Sequence, residues 1–213
     1  MKYILTILFF FSTLSFGFAQ GVNPLNRGCY PSPSTYFGFN TGLNLSKLNQ
    51  RYFPTNYFLS GQFSFEIESL INQPGSPISS LLYGLSYDSK NYEVKSETIQ
   101  TRNIQVNYIT LPIKYQHQFF RFFKKLLVLG TIGGYYSILL NSSQDSNNQL
   151  LPTSNYGISL GLNSIYVFRN GVNLILEYSY QNGFAPIDNT TSFSSNISHV
   201  INIGFKVPST AIF

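Results

Sequence analysis

"VNLILEYSYQ" (residues 172–181) alternates with a period of two: Val172, Leu174, Leu176, Tyr178 and Tyr180 are apolar or aromatic, while Asn173, Glu177, Ser179 and Gln181 fill most places between. Successive side chains of a β-strand leave on opposite faces, so this stretch is a two-faced ribbon. A half-buried soluble sheet puts the apolar face on a core and the polar face in water. A membrane barrel puts the apolar face in lipid and the polar face in its lumen. Composition chooses between them. Only 10% of residues are charged, against about 25% in ordinary soluble domains, while 17% are aromatic, with 20 Phe, 16 Tyr and no Trp. A water-solvated surface calls for roughly 25–35% charged residues, so part of this exterior is not wet.

The same alternation recurs along the chain. "TYFGFNTGLNLS" opposes Phe37, Phe39, Leu43 and Leu45 to Gly38, Asn40, Gly42 and Asn44; "NYFLSGQFSFEIES", "LLYGLSYD", "NYGISLGLN" and "SHVINIGFKV" follow the same rule. Eight segments emerge, near 35–46, 56–69, 80–88, 99–118, 126–140, 155–168, 172–181 and 197–207. The connections at 47–55, 89–98, 141–154 and 182–196 are polar and rich in Asn and Ser, whereas those at 70–79, 119–125 and 169–171 are mostly shorter. Long loops on one side and tight turns on the other are the pattern of an up-and-down barrel. The expected fold is therefore all-β: an eight-stranded antiparallel transmembrane β-barrel with long outer loops and a charged, side-chain-filled lumen.

The amino-terminal residues specify export. Lys2, an apolar run from Ile4 to Phe16 and the small-x-small Gly17-Phe18-Ala19 read as a signal peptide over 1–19. Residues 20–34, "QGVNPLNRGCYPSPS", hold three prolines and no periodicity, which predicts a flexible periplasmic leader before a barrel domain over 35–213. Cys29 lies ten positions past the inferred cut, which does not fit lipoprotein processing, and a single cysteine provides no internal disulfide framework. The expected location is the outer membrane, with its lipid as the first partner.

The polar face carries Glu66, Glu68, Lys114, Glu177 and Lys206 among Gly, Ser and Asn. A lone buried charge is costly, so opposite charges are expected to pair across the lumen and plug it near the inner end. The alternative places some of them at the wet mouths. Within 99–118, Ile104, Val106 and Tyr108 share one parity and Ile109, Leu111, Ile113 and Tyr115 the other, which predicts a β-bulge at Tyr108 with Pro112 just beyond it. "KKLLVLGTIGGYYSILLN" imitates a positive-inside membrane helix, but its apolar run is short of the roughly 20 residues needed and holds Gly130, Gly133 and Gly134. A lipid-facing strand with a glycine bend is expected there.

The signal ending in "AQG", the stretch "NYITLPIKYQ" and the segment "LEYSYQNGFAPI" resemble the PorT-like outer-membrane β-barrel proteins of the Bacteroidetes lineage. In that family a tyrosine precedes an aliphatic-Pro-aliphatic-x-Lys-aromatic strand, matched here by Tyr108, Leu111, Pro112, Lys114 and Tyr115 with one hydrophobe fewer. Glu177, Tyr178, Gly183 and Phe184 match the acidic-Tyr and Gly-aliphatic pattern of the penultimate strand, although Glu177 stands where the family has arginine. The resemblance implies an outer-membrane barrel; the name-giving member's link to secretion and gliding extends to this chain only as an expectation.

No catalytic constellation emerges. His117, His199 and one Cys do not make a zinc site. Ser198 and His199 are strand neighbours and point to opposite faces. His199 near a rim with a serine from 192–195 is the one arrangement that would suit a lipid-modifying enzyme. No basic run beyond Lys124-Lys125 suggests nucleic acid. The expected function is a non-enzymatic envelope protein without cofactor or metal, either structural or binding envelope or secretion-machinery proteins. The alternatives are a lipid-modifying barrel enzyme and a secreted soluble barrel holding a small ligand.

Overall fold

The structure, a computed structural model, describes residues 35–49, 56–71, 77–94, 102–122, 125–142, 154–168, 172–184 and 195–209. The expected signal peptide, the leader with Cys29, and the greater part of the long connections lie outside these residues. Eight strands form: β1 Thr35–Asn49, β2 Phe58–Leu70, β3 Ser79–Val94, β4 Arg102–Phe122, β5 Leu126–Ser142, β6 Ser154–Val167, β7 Asn173–Gly183 and β8 Ser195–Pro208. Each pairs antiparallel with the next, and β8 closes on β1. Closure matters because hydrocarbon offers no partner to an unpaired amide, and a closed barrel has no edge.

The register sets the width of the lumen. Partners followed once around the barrel run from Tyr36 through Glu68, Leu82, Lys114, Gly133, Ser159, Gln181 and Ser198 and return to Ser46, a stagger of ten residues. Eight strands at that stagger tilt by about 40° and enclose a space just wide enough for side chains to fill.

Alternation then sorts the side chains. In β7, Leu174, Leu176 and Tyr178 face out, while Asn173, Ile175, Glu177, Ser179 and Gln181 are buried inside. Ile175, the one apolar residue in the polar phase, belongs to a lumen cluster with Leu127, Leu129 and Ile165, against which Ile78 and Val167 pack. This cluster lies at the inner end, beside the β4–β5 and β6–β7 turns. Toward the outer end, Leu48, Tyr92, Val106 and Tyr108 form a second cluster, with Leu139 packed on it.

These clusters explain where the sequence reading went astray. The parity change at Tyr108 is not a bulge in β4. Val106, Tyr108, Thr110, Pro112, Lys114 and Gln116 all face inward, and the pairing of β4 with β3 keeps one register on both sides of Tyr108. The inner face is apolar where it meets the outer cluster and polar below it, which imitates a slip of phase. The register with β5 does shift between Asn107 and Tyr108, but Leu140 of β5 is the extra residue; a second shift makes Phe119 the extra residue of β4. Pro112 lies mid-strand, beside a gap in the ladder with β3 at Gly84 and Leu85, as a residue without a backbone donor requires. β3 runs on to Val94, well past the expected end at 88, because Asp88, Lys90 and Tyr92 point into the lumen. "LLVLGTIGG" opens strand β5 as expected, yet Leu127 and Leu129 face the lumen instead of lipid.

Candidate functional site

The lumen is the first place to seek a site, since the strands deliver every described buried charge to it. Glu66, Glu68, Lys114, Glu177 and Lys206 are all at most 6% exposed, so none sits at a wet mouth. The Lys114 ammonium stands 2.7 Å from Glu177 Oε1 and 3.6 Å from Glu66 Oε1. Lys206 Nζ donates to Glu68 Oε2 at 2.8 Å. The second oxygens are also served: Asn202 Nδ2 donates to Glu177 Oε2 at 3.2 Å, and Asn40 Nδ2 to Glu66 Oε2 at 3.0 Å. Glu68 Oε1 accepts from Ser80 Oγ (2.6 Å) and Gln116 Nε2 (3.0 Å), and Gln116 Oε1 accepts from Asn163 Nδ2 (2.8 Å).

These two groups of contacts together draw side chains from every strand except β5. There the register partner of Lys114 is Gly133, where an added Cβ would lie 2.2 Å from the Ile113 carbonyl oxygen and 2.6 Å from Lys114 Cα. The glycine allows β4 and β5 to approach closely beside the lysine stem. Buried ion pairs whose carboxylates are also served by amide and hydroxyl donors tie strands together, and removing one member leaves a buried charge uncompensated.

A second pair of lumen charges was missed by the sequence reading, which placed residues 89–98 in a loop. Asp88 and Lys90 are 1% and 0% exposed. The Lys90 ammonium lies 5.6 Å from the Tyr135 ring centre and 6.0 Å from that of Tyr108, a cation held against aromatic faces. Neither Lys90 Nζ nor either Asp88 oxygen has a hydrogen-bond partner among the described residues. Parity alone could have found the pair, because Asp88 and Lys90 continue the inward phase of Leu82, Gly84 and Ser86. A pair so weakly held contributes little. Lys90→Met with Asp88→Asn is expected to leave the unfolding midpoint in vesicles within about 1 kcal/mol of the parent, since well-packed replacements of buried pairs are often neutral or stabilising.

The exterior carries the other candidate. Leu43, Leu59, Phe63, Ile132, Leu160, Leu176 and Ile203 are among the large apolar residues that stand outward and exposed around the barrel. Phe119, Phe120, Phe122, Tyr166 and Phe168 crowd the inner rim of this belt, while Tyr57, Tyr87, Tyr136 and Tyr156 line the outer half. Aromatic girdles flanking an apolar band mark a surface solvated by bilayer. The protein is an outer-membrane β-barrel.

His199 stands on that exterior near the outer rim, and Ser198 beside it is fully buried in the lumen. Both ring nitrogens are engaged: Nδ1 lies 2.8 Å from the Tyr178 hydroxyl and Nε2 lies 3.2 Å from that of Tyr57. Ser195 is four residues away on the same strand, about 13 Å at the usual rise; Ser192 to Ser194 lie outside the described residues. His117, the other histidine, is paired through Nδ1 with Ser79 Oγ at 2.8 Å. No group of three or more His, Cys, Asp or Glu placed to hold a metal occurs among the described residues.

No family model matches the chain, and no curated protein sequence does. Among solved structures it is similar to the attachment invasion locus protein Ail of Yersinia pestis (9% identity, 81% of this chain and 99% of that one, TM-score 0.40). It is also similar to the outer membrane protein OprG of Pseudomonas aeruginosa (12%, 82% and 95%, TM-score 0.49) and to Neisserial surface protein A (12%, 84% and 99%, TM-score 0.49).

Proposed function

We propose that this outer-membrane barrel is a non-enzymatic component of the cell envelope that acts by binding partner proteins, and not by conducting solutes or turning over lipid. The filled lumen is the observation that carries this reading. The Lys114 and Lys206 network crosses it, with the Leu127 cluster toward the inner end and the Leu48 cluster toward the outer end. Against lipid chemistry, both His199 nitrogens are held by tyrosines and Ser195 is too distant along β8 for its proton to reach the ring. The binding surfaces assigned to partners are the outer loops and the leader 20–34, where variation leaves the scaffold intact.

Two measurements check it. In planar bilayers the reconstituted barrel is expected to show no steady open level, and a stable conductance step would contradict the plugged lumen. Crosslinking in intact envelopes followed by isolation of the barrel is expected to recover a discrete envelope protein through the loops or leader. Recovery of lipid alone, or lipid turnover that His199→Ala abolishes, would replace this reading with the enzymatic one.

A further inference from the structure

On one side of the lipid-facing wall, titratable side chains gather among apolar ones near the outer rim. On the outer halves of β1, β2, β7 and β8, the outward residues include Leu43, Leu45, Leu59, Ile201 and Ile197, and among the described residues only Lys47, His199 and the tyrosines Tyr57, Tyr178 and Tyr180 can titrate there. These five meet. The His199 ring lies 5.4 Å from Tyr57, 5.4 Å from Tyr180 and 6.1 Å from Tyr178, centre to centre, and the Lys47 ammonium is 4.6 Å from the Tyr57 ring centre. Lys47 is two residues from the outer end of β1, and Tyr57 immediately precedes β2. The group therefore stands where acyl chains give way to headgroups.

We propose that Lys47, His199, Tyr57 and Tyr178 form a proton-gated site for the phosphate of an anionic lipid headgroup in the outer leaflet. The chemistry follows from counting hydrogens. A neutral imidazole donates through one nitrogen and accepts through the other, so one tyrosine accepts from His199 and the other donates to it. Only the accepting tyrosine has its own O–H left to point elsewhere. When His199 takes up a proton both nitrogens donate, both tyrosines accept, and both hydroxyl hydrogens are released toward a third group. Two O–H donors, an imidazolium and the Lys47 ammonium then stand together at the rim. Phosphate, with several strong acceptor oxygens and a negative charge, satisfies all of them. A zwitterionic choline headgroup also brings a cation that Lys47 and the imidazolium repel.

The sign of the coupling is fixed. Phosphate favours the protonated ring, so affinity rises as pH falls through the histidine titration, and bound phosphate must raise the midpoint of that titration by the same factor. The test uses the full chain carrying His117→Gln, which leaves one histidine, in phosphatidylcholine nanodiscs with and without phosphatidylglycerol. That phosphodiester keeps a single charge between about pH 5 and pH 8, so the protein alone titrates in the window where histidine changes charge. Ring NMR of His199 is expected to show the midpoint rising with phosphatidylglycerol, and lipid binding about fivefold or more tighter at the acidic end.

Tyr178→Phe keeps the ring contact and removes a released donor. It is expected to abolish most of the midpoint shift while the folded gel mobility stays normal, and because both proteins sit in the same membrane, surface potential cannot account for the difference. Lys47→Gln should weaken binding at both pH values and leave the pH dependence in place. A midpoint that phosphatidylglycerol does not move, or moves equally in Tyr178→Phe, overturns the site. A shift reproduced by inorganic phosphate over phosphatidylcholine discs overturns the assignment to lipid.

Discussion

Lys114→Met should destabilise the barrel by about 3–5 kcal/mol, the usual consequence of removing one member of a buried ion pair. Lys114 is the cation nearest both Glu177 and Glu66, and the three side chains are buried. Methionine preserves most of the stem packing, so the loss reports charge and not volume. Among the described residues, Glu177 would retain the Asn202 amide and Glu66 that of Asn40. Adding Glu177→Gln removes one stranded charge and should recover a large part of the loss; in a double-mutant cycle this coupling separates the pair from its surroundings. Lys206→Met, which strands Glu68 with Ser80 and Gln116 still donating to it, should fall in the same range. Urea unfolding in lipid vesicles, followed by gel mobility without boiling, measures all of these. Variants within experimental error of the parent would mean that the web does not hold the strands together.

Placing a cation in the middle of the outer belt tests the other face. Leu160 lies midway along β6, 45% exposed, and points away from the lumen. Its strand partners are Ile132, itself outward and exposed, and Tyr180, whose ring packs on His199. Leu160→Arg is expected to cost about 2–4 kcal/mol in a bilayer, the range for a lipid-exposed arginine at the midplane, and much less toward an interface. Tyr156→Arg, one turn of alternation from the outer end of the same strand, serves as that control. Equal effects at the two depths would mean that water, and not hydrocarbon, solvates this side of β6.

Much of this was legible in the chain, for a reason that particular residues show. A barrel strand has two solvents and a strict period of two, so Leu174, Leu176 and Tyr178 against Asn173, Glu177 and Ser179 announce both the strand and its faces. Eight such ribbons, few charges and alternating connections were enough for the architecture. The identity of the five lumen charges Glu66, Glu68, Lys114, Glu177 and Lys206 followed from the same parity.

Their partners did not follow. Which carboxylate meets which ammonium depends on the ten-residue stagger around the barrel, which brings Lys114 of β4 across to Glu177 of β7 and Lys206 of β8 to Glu68 of β2. That quantity belongs to the closed sheet and to no segment of it. Nor could parity reveal where the lumen turns apolar: Val106, Tyr108, Leu127, Leu129 and Ile175 look lipid-facing or out of phase until closure places them in clusters at the two ends. The meeting of His199 with Tyr57, 142 residues away in sequence, is likewise a product of β8 closing on β1. Local chemistry determined what each ribbon is; only the global register decided which side chains share a place.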